Sequence, residues 1–221
     1  MKKILVAVLA AAVAAASVSA EGRFVVGAKG MFQLNAGTVV ADDFDFDDVS
    51  QKVLPGGGGG IFARVNVFKG LGIQLEALFT GNNGVKQEWE IDGAVATQSV
   101  SYTALDIPLL VTWDFNLGPV ILTPFLGPNF SIPLGDAKVK SEYDGKSFDS
   151  DISVSSHFIP GIAFGLAAGF PVGPGAIVTE VRYLHDFTPL SVSADGEDGD
   201  YDVDVATRGA FGISIGWQFM F

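Results

Sequence analysis

The chain has no cysteine. Its fold therefore uses neither disulfides nor thiolate metal centres. Histidine is almost missing: His157 and His185 are the only two among 221 residues. Positive charge is scarce, with 13 Lys and Arg against 25 Asp and Glu and a formal net charge of −12. That balance argues against nucleic acid as a partner, because phosphate binding needs clustered Lys and Arg. After the first twenty residues no run of 18 or more apolar residues occurs, which excludes a later helical membrane span.

What the chain does have is glycine (28), phenylalanine (18) and a positive mean hydropathy of +0.38. Its first twenty residues read as a signal peptide. Lys2 and Lys3 make a basic start, Ile4 to Ala16 an apolar run, and Ser17-Val18-Ser19-Ala20 a small-residue cleavage site. The apolar run falls short of the roughly 20 residues that a spanning helix needs. The expected domains are thus a signal peptide over 1–20 and a single domain over 21–221, with export into an oxidising route. Composition alone fits either a membrane barrel or a secreted β-sandwich.

Periodicity narrows the choice. Phe211, Ile213, Ile215, Trp217, Phe219 and Phe221 alternate with Gly212, Ser214, Gly216, Gln218 and Met220. A period of two with one oily face is a strand. The same alternation recurs over about 23–35, 60–68, 71–80, 102–115, 120–132, 158–170 and 177–187, giving eight strands. Short connections (69–70, 116–119, 171–175) alternate with long ones (36–59, 81–101, 133–157, 188–207). Asp92-Gly93, Asp144-Gly145 and Asp195-Gly196 are tight-turn pairs inside three of the long connections, so hairpin ribbons are expected there. The four long connections hold 19 of the 25 Asp and Glu.

The predicted fold is an all-β, eight-stranded antiparallel up-and-down transmembrane β-barrel. Short turns on one end and long loops on the other is the pattern of such barrels. Parity by itself does not separate this from a lipocalin-like soluble barrel, in which the oily rows would line a cavity. Arg64, Glu76, Asp106, Glu180 and Arg182 fall mid-strand on the polar faces. Eight strands enclose a space that side chains can fill. These five residues are expected to form one paired lumen network that plugs the barrel, or else lines a narrow pore. Pro108, Pro124, Pro128 and Pro160 conflict with this scheme, since proline cannot donate to a ladder. Bulges or strand ends are expected near them.

Several runs carry a family resemblance. They are Gly58-Gly59-Gly60-Ile61-Phe62-Ala63, Leu71 to Phe79, Leu105-Asp106-Ile107-Pro108-Leu109-Leu110, Thr123-Pro124-Phe125-Leu126-Gly127-Pro128 and Glu180-Val181-Arg182-Tyr183. In order and spacing they resemble the outer-membrane protein β-barrel domain family, including its PorT-like group, which is related to OmpA- and OmpX-type barrels. The resemblance implies a bacterial outer-membrane location and makes the strand prolines a family trait. It implies no chemistry. The C-terminal strand likewise resembles those whose last aromatic residues, here Trp217, Phe219 and Phe221, are read by the barrel-assembly machinery.

Candidate chemistry is thin. His185 sits on the oily parity near Ser191 and Ser193, the weak basis for a lipid-modifying enzyme; an interfacial aromatic-belt residue is the simpler reading. Asp195, Glu197, Asp198 and Asp200 are a weak divalent-cation cluster without EF-hand spacing. Gly56 to Gly60 reads as a flexible lead-in to strand two. No catalytic residue and no cofactor is expected. The expected partners are the lipid bilayer and the assembly machinery, for a monomer with periplasmic termini and acidic extracellular loops. Its function is expected to be that of a structural or surface-interaction barrel, with a small-solute channel as the alternative.

Overall fold

The computed structural model describes residues 24–39, 50–91, 94–143, 145–196 and 199–221. Every regular element among them is a strand. In chain order these are β1 (Phe24–Val39), β2 (Ser50–Lys52), β3 (Leu54–Phe68), β4 (Leu71–Ile91), β5 (Ala94–Asp106), β6 (Leu109–Trp113) and β7 (Phe115–Asn116). They continue with β8 (Ile121–Tyr143), β9 (Lys146–Ile152), β10 (Ile159–Val172), β11 (Gly175–Asp186), β12 (Leu190–Gly196) and β13 (Gly199–Met220).

The ladder runs β1-β3-β4-β5-β8-β10-β11-β13, and β13 returns to β1 over Val25↔Met220 to Val39↔Ala206. All these pairings are antiparallel. The last contact of the closure is reciprocal: Phe24 N–H donates to Phe221 O at 3.2 Å, and Phe221 N–H to Phe24 O at 2.8 Å. The sheet thus closes into a ring of eight strands, which removes free edges.

β5, β6 and β7 together form one ring strand in a constant register. Asp106 faces Ser131, Val111 faces Leu126, and Phe115 faces Leu122. Its interruptions have a local cause. Pro108 lies in the gap between β5 and β6. On the facing strand, Pro128 and Pro124 fall where the ladder toward this strand is broken. A proline brings no N–H to the ladder, so the pairing lapses there while the register holds. Pro124 and Pro128 remain paired on their other side, opposite Leu166 and Ile162. The expected strand over about 102–115 is therefore found in pieces.

The short connections are tight. Lys69 (φ 37°) and Gly70 (φ 89°) close the β3–β4 hairpin, both in the left-handed region that a two-residue hairpin turn requires. At the other end the strands run on past the ring as ribbons. Bulges sit where they leave it, at Thr80–Asn83 of β4 and opposite Ser101–Thr103 of β5. The ribbons join edge to edge: β2 pairs β4, and β5 pairs β8 as far as Ala96↔Tyr143. Segment 153–155 bonds to β12 through Ser155 N to Ser191 O (3.0 Å) and Ser193 N to Ser153 O (2.9 Å).

Two sequence expectations need correction. The five-glycine run is not a loose lead-in. It lies inside β3, with Gly57 to Gly60 paired to β1 on one side and β4 on the other. A Cβ on Gly58 or Gly60 would run into the Phe79 or Ala77 carbonyl, so glycine permits an unusually close strand approach. The third hairpin also turns later than expected. Asp195 lies in the ladder opposite Asp200, and Gly196 faces Gly199.

Candidate functional site: the barrel interior

The distribution of side chains is inverted relative to a soluble protein. Ile61 (65% exposed), Ile215 (63%) and Phe79 (58%) stand on the outer face with many other large apolar residues. The charges are inside: Arg64, Glu76, Asp106, Glu180, Arg182 and Arg208 are all buried. This decides what parity left open. The oily rows face outward and do not line a cavity, as they would in a lipocalin-like barrel. An outer wall of this kind is stable in hydrocarbon, where a closed ladder satisfies every strand's backbone.

The five residues expected as one network are divided among three groups. Nearest the short connections, Arg64 Nη1 pairs with Asp114 Oδ1 at 2.9 Å. Asn66 and Thr123 also donate to the Asp114 carboxylate, at 3.2 and 2.7 Å. Deeper lies a quartet from β1, β4 and β11. Lys29 Nζ is 3.0 Å from Glu76 Oε1 and 2.8 Å from Glu180 Oε2. Arg182 Nε donates to Glu180 Oε1 at 2.7 Å, and its Nη2 lies 2.8 Å from Glu76 Oε2. Gln74 donates to Glu76 at 2.6 Å. Phe125 and Phe62 cover the cations, with Arg182 5.1 Å and Lys29 5.6 Å from the ring centres.

The third group joins β5, β11 and β13. Arg208 Nε donates to Asp186 Oδ2 at 2.9 Å, and its Nη2 to Asp106 Oδ1 at 3.0 Å and Ser131 Oγ at 2.8 Å. Thr80 donates to Asp106 Oδ2 at 2.8 Å, and Ser131 Oγ to Asp106 Oδ1. Beside it, amides of Gln33, Asn35 and Asn83 bond to one another. Between the first group and the quartet a cavity of about 20 Å³ is lined by residues including Arg64, Gln74, Thr112 and Thr123, room for about one water.

Lys29, Asp114, Asp186 and Arg208 complete these groups although none is among the five expected residues. Parity was the available signal. Lys29 shares a face with Gln33, Asp114 shares one with Asp106, and Arg208 continues the row of Gly212 and Ser214. Every carboxylate outside the long connections, Glu21 apart, is one of the five inside: Glu76, Asp106, Asp114, Glu180 and Asp186.

The remaining candidates are placed as follows. His185 is exposed on the outer face, its ring stacked 6.5 Å from Tyr183 and edge-on to Phe187 at 6.1 Å. The Ser191 hydroxyl donates to Asp204 at 2.6 Å. Trp217 and Phe219 are outward neighbours with ring centres 6.1 Å apart, and Phe221 lies 6.4 Å from Phe24. The side chains of Asp195, Glu197, Asp198 and Asp200 lie outside the described residues. Among the described residues no group of three or more His, Cys, Asp and Glu has metal-holding geometry.

Comparison with known proteins agrees with this architecture. A family described as "Outer membrane protein beta-barrel domain" matches residues 4–219, and the chain belongs to that family. No curated protein matches it. Among solved structures, it is similar to the outer membrane protein OprG of Pseudomonas aeruginosa at 14% identity and a TM-score of 0.52, covering 90% of this chain and 96% of that one. It is also similar to a major outer membrane protein of Thermus thermophilus at 14% identity and a TM-score of 0.50, covering 88% and 99%. At such identities the likeness is one of fold.

Proposed function

From that family membership we propose an integral outer-membrane barrel with a closed lumen, a scaffold that presents its acidic long connections outside the cell. The carrying observation is the pair of ion-paired layers across the interior: the Lys29–Glu76–Glu180–Arg182 quartet and the Arg208–Asp106–Asp186 group. Each is knit by charge-assisted hydrogen bonds, which are about twice as strong as neutral ones. An ion traversing the lumen would have to part both layers. Parting one leaves a buried charge without its partner, at about 3–5 kcal/mol.

The long connections hold 19 of 25 acidic residues but only five of 13 basic ones. Their end of the molecule is therefore strongly negative, and the partners it presents itself to are cationic or bridged by cations. In this reading residues 1–20 are the leader and both termini face the periplasm. Trp217, Phe219 and Phe221 mark the strand for the assembly machinery. The ring closes on itself, so a monomer suffices.

Planar-bilayer recording of the refolded wild-type chain tests the closed lumen. We expect no discrete conductance steps. Stable steps of uniform size would overturn this reading and establish the alternative, a narrow channel for ions or small solutes.

A further inference from the structure

The interior changes character along its length. Beyond the Arg208 group the inward-facing charges end among the described residues. Arg208 lies 5.9 Å from the centre of the Tyr102 ring, and Tyr102 belongs to an apolar floor with Ala104, Ala137, Ile159 and Leu190. Above that floor the ribbons line a partly open cavity of about 170 Å³. Val85, Val100, Val139, Ile152 and Val192 form its walls, from five different strands, with Gln87 and Gln98 beside them. The two glutamines face each other across β4 and β5. Neither amide has a hydrogen-bond partner among the described residues.

Strand alternation builds this lining. Val85 and Gln87 point inward while Lys52 pairs with Glu88 on the other face. On β8, Ala137 and Val139 are inside while Lys138 and Lys140 are exposed. Among the described residues the acidic ribbons thus carry a chargeless inner wall.

We propose that this cavity is a binding site for a small uncharged molecule with an apolar body and one hydrogen-bonding group. An apolar cavity of about 150 Å³ accepts a benzene-sized ring, so one ring or a short chain fits here. Aliphatic walls with a few polar groups that fix orientation are the usual make-up of small-molecule pockets. A charged ligand is disfavoured, because it would lose its hydration with no counter-charge among the lining residues. The site lies above both ion-paired layers, so it stands whether or not the lumen conducts.

Methyl-resolved NMR of the full chain in lipid nanodiscs, titrated with p-cresol and separately with toluene, tests it. Methyls of Val85, Val100, Val139 and Val192 shift saturably. Those of Val111 and Val181, on the outer face, shift only in proportion to ligand partitioned into the bilayer. Val139→Phe fills the cavity and removes the saturable component, with Val192→Met as a second, milder filling. Unchanged heat-modifiable gel mobility shows that each variant keeps its barrel. Gln98→Leu weakens p-cresol relative to toluene by about 2- to 10-fold, the worth of one hydrogen bond. Shifts that never saturate, or saturable binding that survives a folded filling variant, would overturn the site. An equal effect of Gln98→Leu on both ligands would overturn the amide's part in it.

Discussion

Glu76 illustrates why the interior charges act as a unit. Its carboxylate meets Lys29, Arg182 and Gln74, and the side chain has no exposed surface. Glu76→Ala removes the shared partner of two buried cations. The expected loss is about 3–5 kcal/mol, read as a lowered urea midpoint for the chain folded into vesicles. Lys52→Ala breaks a half-exposed pair with Glu88 at 3.6 Å and is expected to lose at most about 1 kcal/mol. Equal losses for the two variants would mean that the quartet is not the desolvated unit described above. Residue by residue, the inward faces were legible from alternation, but the pairing was not. A period of two tells which wall a side chain leaves, not which of seven other strands it meets. Arg208 escaped because the expected loop ended at Thr207, one position before it. Asp186 alternates with His185 of the oily parity, so its inward direction is readable, but its partner Arg208 on another strand is not.

At the scale of elements, glycine and proline do opposite work. The glycines of β3 let two neighbours approach closely, while Pro124 and Pro128 of β8 withhold donors from the ladder toward β6, and Pro108 withholds one from the ladder toward β4. Gly60→Ala sets a methyl group against the Ala77 carbonyl, whereas the nearest atom to a Cβ on Gly30 is the Gly58 carbonyl oxygen at 4.0 Å. Gly60→Ala is therefore expected to lower the temperature at which the folded gel band converts to the unfolded one. Gly30→Ala, on the outer face of β1, should leave it nearly unchanged. Similar shifts for both would remove the close-approach argument. Strand number and most strand positions followed from the sequence, because each oily row is long and strictly alternating. The five-glycine segment has no side chains to alternate, so its place in the ladder was invisible. The third hairpin was misplaced because Asp195-Gly196 is a good turn pair, yet the ladder of β12 and β13 continues through it. Cross-strand pairing over seven positions outweighs one favourable turn dipeptide.

For the whole molecule, the polarity of its two ends is what the surface-scaffold reading depends on. One end has three tight connections and both ends of the described chain. The other has the ribbons and most of the described acidic residues. In outer-membrane barrels the long connections lie outside the cell and the short ones face the periplasm. Because the chain has no cysteine, a single introduced thiol reports its own side without background. Ser150 on β9 and Leu117 in the second short connection are both exposed and lie at opposite ends. On intact cells a membrane-impermeant maleimide should label Ser150→Cys at once, and Leu117→Cys only after the outer membrane is permeabilised. The reverse pattern would put the acidic ribbons in the periplasm. The barrel and its charge layers would be unaffected, but the cell-surface role would fall, and the apolar cavity would then open toward the periplasm.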